Sequence, residues 1–270
     1  MAESIALNCD CMEYMKTLPD NAFDLAVVDP PYGDALNTHT QRGRGTDSAD
    51  TSTSTRRIDH LHSSCRKRER ERESADEPTY NRFGGVGSRF EKYKRPSIQD
   101  GRDMGEEVRK KIIAWDVAPG KDYFDELFRV SREQIIWGGN YFDLPPTRCF
   151  VIYRKTNIPA DGFTMAPVEY AWTSFNRNAE YIEAFAQGRP GAERFHPTQK
   201  PVLLYQRLFE KFAKPGDRII DTHLGSGSSR IAAYDAGLDF VGCEIDKTYF
   251  DKQEERFEAH AAQQNLFLMG

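Results

Sequence analysis

The sequence predicts an α/β fold on a mainly parallel sheet with helices on both faces, and three observations carry that prediction. Short apolar runs of buried-strand type recur along the chain, and segments of helical periodicity alternate with them. Near the carboxyl end a strand, a glycine-rich loop, a helix and another strand follow in succession, the order of a nucleotide-binding half. A length of 270 residues suits one domain carrying insertions.

The elements read in order as follows. Ile5 to Leu7 and Phe23 to Val28 are strand-like, and Met12, Met15 and Leu18 between them have helical spacing. From His39 to Pro78 the pattern gives way to Thr, Ser, Arg, Asp and Glu, including Thr51 to Thr55 and the mixed-charge run Arg66 to Glu73. Residues 37–80 therefore read as a disordered or mobile insertion. Order returns with a helix over Lys121 to Val130 and strands at Gln134 to Trp137 and Cys149 to Tyr153. Glu169 to Phe175 and Tyr181 to Phe185 carry aromatics in short runs and read as paired strands. Leu204, Tyr205, Leu208, Phe209 and Phe212 form the apolar stripe of a helix with Pro201 in its first turn. The last pieces are a strand at Asp217 to Asp221, a helix from Ser228 to Ala236, a strand at Asp239 to Glu244 and a closing helix from Lys247 to about Ala262.

Composition narrows the function classes. No run approaches the ~18 apolar residues of a membrane span, and Met1 to Ser4 does not open a signal peptide, so the expectation is a cytoplasmic protein without a membrane partner. Five scattered cysteines indicate neither a disulfide framework nor a zinc knuckle. His60, His62 and Cys65 have no fourth ligand at fixed spacing, so no metal is expected. A net charge of −5 argues against a protein that coats nucleic acid over its whole surface. Basic residues are concentrated between Tyr80 and Trp115, among them Arg89, Lys92, Lys94 and Arg95, with Phe83, Phe90 and Tyr93 interleaved. That segment reads either as a phosphate-contacting stretch or as a solvated loop.

Two motifs carry chemistry. Asp29-Pro30-Pro31-Tyr32 follows a strand directly, where open α/β sheets bind their ligands. Alone it reads as an ordinary turn with a core tyrosine. Functionally, the Asp29 carboxylate and Pro30 carbonyl form an acceptor pair for an exocyclic amino group, Pro31 stiffens the turn, and Tyr32 offers a face for stacking a base. The second motif, Asp221 to Ser229, opens a helix after a strand and contains His223, Gly225, Ser226 and Gly227. Glu244 lies about twenty residues on, where an acidic side chain chelates a ribose diol. Arg230 replaces the third glycine of the dinucleotide fingerprint, which lowers the nicotinamide reading and favours a nucleoside cofactor such as S-adenosylmethionine.

With Trp137-Gly138-Gly139-Asn140-Tyr141-Phe142, His196-Pro197-Thr198-Gln199-Lys200-Pro201 and Val241 to Asp246 added, the chain resembles the amino-methylating DNA methyltransferases of the permuted N6-adenine/N4-cytosine class, in which the catalytic tetrapeptide precedes the cofactor loop. The resemblance implies a single catalytic domain over 1–270 with a Rossmann-like, circularly permuted S-adenosylmethionine-dependent fold. It implies Asp29, Pro30, Pro31 and Tyr32 as catalytic residues. It also implies cofactor contacts at Asp10, Cys11, Asp29, His196, Pro197, Thr198, Lys200, Asp221, His223, Gly225, Ser226, Gly227, Glu244 and Ile245, with Lys200 near the cofactor carboxylate and Asp10 at the adenine. The Asp-Pro-Pro-Tyr form is associated with adenine N6 and the Ser-Pro-Pro-Tyr form with cytosine N4. A DNA-binding protein with a vestigial cofactor pocket is the reading from another class.

The chemistry requires the target base to leave double-stranded DNA, so base flipping is expected. Residues 149–195 are the expected target-recognition region, with Arg154, Lys155, Asn157, Asn176, Arg177 and Asn178 as candidate contacts. So small a region predicts a homodimer or a short target. At the end, Gln263, Leu266 and Phe267 resemble the pentapeptide by which bacterial proteins dock on the sliding clamp, or else form an apolar terminus packed on its own domain.

Overall fold

The computed structural model of the chain describes residues 2–33, 116–159, 166–186 and 194–268, with side chains through Gln264. The chain divides into two units, residues 1–35 with 115–270 and residues 36–114, and the first contains every element below. The insertion at 37–80, the basic segment from Tyr80 to Trp115, and His60, His62 and Cys65 lie outside the described residues.

One eight-stranded sheet organises the described residues. Its strands are β1 (Ser4–Leu7), β2 (Phe23–Val28), β3 (Ser131–Trp137), β4 (Phe150–Lys155), β5 (Val168–Thr173), β6 (Glu180–Ala184), β7 (Arg218–Asp221) and β8 (Asp239–Cys243). The spatial order is β1-β8-β7-β2-β3-β5-β4-β6. All neighbours are parallel except β5, which runs antiparallel to both β3 and β4. The start of β5 therefore lies at the edge where the other strands end. The aromatic runs expected to pair with each other do not, because β4 lies between them and bonds to both. The link after β5 is fastened across β4: Cys149 Sγ donates to the Asn178 carbonyl at 3.3 Å and Arg148 donates to Asn178 Oδ1 at 3.0 Å.

Strand alternation divides the core between two faces. Leu25, Val27, Ile135, Ile219 and Phe240 meet α3 (Val202–Phe212) and α4 (Ser228–Asp235) through Leu204, Leu208, Ala232 and Ala233. Ala26, Val28, Ile136, Ile220 and Val241 meet α1 (Cys11–Lys16) and α2 (Lys121–Val130) through Met15, Tyr123, Phe124, Leu127 and Val130. Strands buried on both faces read as continuous apolar runs, which is why β2, β3 and β7 were legible. Pro201 caps α3 from the position before its first turn.

A last helix, α5 (Lys247–Leu268), is longer than its apolar pattern indicates. Its backbone stays helical through Leu268, so the pentapeptide around Gln263 lies within a helix. No helix among the described residues is long and apolar enough to cross a membrane.

Candidate active site

Seven of the eight strands end on one edge of the sheet, and the chain leaves β7 toward β8 but leaves β2 toward β3. A crevice opens at such a reversal, outside the carboxyl ends of the strands. Asp29 and the buried Pro30 follow β2 there. Tyr32 turns back so that its hydroxyl donates to Asp29 Oδ1 at 2.8 Å. Its ring stacks on Tyr141 with centroids 4.8 Å apart and planes inclined by 18°, and meets the edge of Phe142 at 6.1 Å. Burial, followed by the neighbouring Asp29 charge, pushes the Tyr32 phenol upward, so it serves as a donor. Gly138 makes this placement feasible: its φ is +66°, and a Cβ there would lie 2.1 Å from the Tyr32 ring.

The other Asp29 oxygen is held by Lys200, whose Nζ lies 2.5 Å from Oδ2. The same ammonium is 3.2 Å from Glu169 Oε2 and 5.2 Å from the centroid of the Trp137 ring. Glu169 Oε1 is 2.5 Å from Lys155 Nζ. Burial opposes the Lys200 charge, but Asp29 and Glu169 outweigh it and hold the ammonium protonated well above its usual range. Burial likewise works against the Glu169 charge, yet Lys200 and Lys155 draw its carboxyl down to about 2.

The glycine loop follows β7. Asp221 accepts from the His223 backbone N–H at 3.0 Å and from the Ser229 hydroxyl at 2.5 Å, which ties the loop's start to the first turn of α4. Even so, burial raises its carboxyl to about 7. Gly225 has φ +52° and donates to Glu244 Oε2 at 2.8 Å, while the Asp246 N–H donates to Glu244 Oε1 at 2.8 Å. Gly227, at φ +72°, is the cap of α4, and the Arg256 guanidinium bonds the Ser226 carbonyl at 2.7 Å and the Ser228 hydroxyl at 2.9 Å. The His196 ring would lie 3.3 Å from a Cβ at Gly225, packs against Tyr249 with centroids 4.4 Å apart, and has Nδ1 3.2 Å from the Thr198 hydroxyl. Burial lowers both His196 and His223 to about 4, so both stay neutral at physiological pH. Pro197 is exposed and its carbonyl accepts from Arg194 at 2.8 Å.

Asp10 caps α1 through Oδ1, accepting from the backbone of Met12 at 2.7 Å and Glu13 at 3.3 Å. Burial and the Asp10 charge push the adjacent Cys11 thiol up to about 12, where it is no nucleophile. Ile245 is 67% exposed beside buried Glu244, an apolar surface at the rim of the crevice.

The structure therefore gathers the sequence motifs on one edge: Asp29 with Tyr32 and Lys200, and Glu244 and His196 with the glycine loop. The candidates in 149–195 fare differently, because most are used inside the fold. Arg154 donates to the carbonyls of Ile158 and Pro167, Asn157 accepts from the Ala186 N–H, and Arg177 bonds Glu180 and the Lys211 carbonyl. Sequence reasoning missed Glu169 in the site. Its signal was a carboxylate in a strand of aromatics, with Lys155 closing an apolar strand opposite. It also missed Asn8, whose amide donates to the Glu244 and Ile245 carbonyls at 2.8 and 3.3 Å and ties the ends of β1 and β8 together. Among the described residues no group of His, Cys, Asp and Glu is arranged to hold a metal.

Known proteins are similar to this chain over different shares of its length. YubD of Escherichia coli (strain K12) is 26% identical over 158 residues, 50% of this chain and 67% of its own length. The type II methyltransferase M2.DpnII of Streptococcus pneumoniae is 39% identical over 64 residues, 24% of either chain. Among solved structures, the cytosine-N4-specific PvuII DNA methyltransferase superposes with a TM-score of 0.49 at 10% identity, covering 95% of this chain and 87% of that one. The M1.HpyAVI-SAM complex gives 0.41 at 15% identity, covering 95% and 100%. The family described as DNA methylase matches residues 92–255, more than half of the chain, and the chain belongs to that family.

Proposed function

We propose that the chain transfers a methyl group from S-adenosylmethionine to adenine N6 in double-stranded DNA. The observation that carries this reading is Asp29, fixed at the carboxyl end of β2 by donors on both oxygens, on the same sheet edge as a glycine loop hydrogen-bonded to Glu244. The loop fits a nucleoside cofactor: Gly225 keeps open the space between the loop backbone and His196, and Glu244 is an acidic group with lone pairs left for a ribose diol. Glu244, Asp10 and Ile245 would hold the nucleoside, and residues 223–227 with His196 would border the methionine part. S-adenosylmethionine supplies, when bound, an electrophilic methyl carbon on a sulfonium.

The protein's task is to make a poor nucleophile competent. Asp29 and the Pro30 carbonyl accept the amino hydrogens, which localises the nitrogen lone pair and aims it at the methyl carbon. Asp29 would also accept the proton that the amino nitrogen gives up on methylation. Neutral His196 adds no positive charge beside the sulfonium. Tyr32 and the exposed ring of Tyr141 offer an aromatic stack for the flipped base. Docking on a sliding clamp through the helical turn at Gln263 to Phe267 and homodimer formation are separate proposals, tested by clamp pulldown of a Leu266→Ala, Phe267→Ala variant and by gel filtration.

The test is transfer of labelled methyl to unmethylated duplex DNA, with nucleoside mass spectrometry of the product, for wild type and Asp29→Ala. N6-methyladenine formed by wild type and lost in the variant is expected. N4-methylcytosine would move the base assignment, and donor binding without transfer to DNA would sink the reading.

A further inference from the structure

Four charged side chains, two buried and two half-buried, line up behind the reacting edge in alternating sign: Lys155, Glu169, Lys200 and Asp29. They come from four places in the chain, the end of β4, the start of β5, the segment before α3 and the end of β2. The separations are 2.5 Å from Lys155 to Glu169, 3.2 Å from Glu169 to Lys200 and 2.5 Å from Lys200 to Asp29. Lys155 and Lys200 are each less than a tenth exposed, a depth at which a charge persists only when paired. Two ammoniums and two carboxylates leave the set neutral.

We infer that Glu169, held by Lys155, is a positioning residue that aims the Lys200 ammonium and, through it, fixes the plane of the Asp29 carboxylate. The inference rests on the methyl-transfer reading, and the antiparallel course of β5 is what makes it feasible, since it brings Glu169 to the edge where β2 ends. Lys200 is bounded on three sides, by Asp29, by Glu169 and by the face of Trp137, so its direction is set. With Tyr32 donating to the other oxygen, Asp29 is gripped by two donors from different parts of the chain, and each oxygen keeps a lone pair for the amino group. This assigns Lys200 to the carboxylate that meets the base, a role distinct from contact with the cofactor carboxylate.

The two roles separate kinetically. Methyl transfer to unmethylated bacterial genomic DNA is measured for wild type, Glu169→Gln and the charge-neutral double variant Lys155→Met, Glu169→Gln, which guards against unfolding caused by one stranded charge. In both variants kcat should fall about tenfold or more while KM for S-adenosylmethionine stays within about twofold. A raised KM with unchanged kcat, or no change in either, would overturn the inference. Melting temperatures of Asp29→Asn, Glu169→Gln and their combination read the linkage without activity. A coupling through Lys200 makes the two shifts non-additive, and simple addition would refute it. Non-additive shifts in a wild type that transfers no methyl would uphold the linkage and remove the functional reading instead.

Discussion

Single side chains decide whether Asp29 meets a base correctly. Gly138 adopts φ +66° with the Tyr32 ring against its α-carbon, so Gly138→Ala would place a methyl group 2.1 Å from that ring. Tyr32 would have to leave its stack on Tyr141 and release Asp29 Oδ1. Methyl transfer should fall by about a hundredfold, the typical effect of a 1 Å misplacement, while the fold survives. Circular dichroism alongside the transfer assay checks this, and a fully active Gly138→Ala would show that the Tyr32 contact is dispensable. Gly138, Asp29 and Tyr32 all stood out in the sequence as motif members. Glu169 did not, because a glutamate in a strand has no local mark of its partner; Lys200 approaches it only through the fold.

Elements are fastened to the sheet by a few buried polar contacts, and Arg230 on α4 is the clearest. It occupies the place of a third fingerprint glycine, where a side chain would crowd a pyrophosphate, and its guanidinium turns away from the loop. It bonds Ser4 of β1 and Gln253 and Glu254 of α5, and lies 3.8 Å over the Phe257 ring. Arg230→Ala strands a partly buried Glu254 and should cost about 3 kcal/mol of stability. Urea unfolding measures this, and a loss well under about 1 kcal/mol, the size of a surface ion pair, would mean α5 is held by its apolar contacts alone. The cost would fall on α5, the helix that carries Arg256 to the glycine loop.

For the molecule as a whole, three buried titrating groups shape stability against pH. His196 and His223 are lowered from 6.5 to about 4, so between those values the unfolded chain binds protons that the native one refuses. Their contribution is lost as pH falls through that window. Asp221 is raised from 3.8 to about 7, so the native state keeps a proton the unfolded chain has shed, and this contribution is lost as pH rises through about 7. Two groups outweigh one below pH 6.5, and above about pH 7 the opposing contributions nearly cancel. Stability should rise from about pH 4.5 to 6 and level off near about 7, and in Asp221→Asn that rise should be about twice as steep. Denaturation midpoints across pH test this; identical profiles for the two proteins would contradict it.

The α/β class, the strands β2, β3 and β7, the helix α2 and the two chemical motifs were legible from the chain alone. Doubly buried strands and amphipathic helices write their periods into adjacent residues, and a loop that must approach a ligand requires glycine at fixed offsets. Three things depended on the tertiary structure: the insertion of β4 between β5 and β6, the direction of β5, and the meeting of Lys155, Glu169 and Lys200 with Asp29. Strand order is set by which edges find ladder partners. A buried charge is set by which opposite charge the closed fold brings within reach, and neither quantity is a property of neighbouring residues.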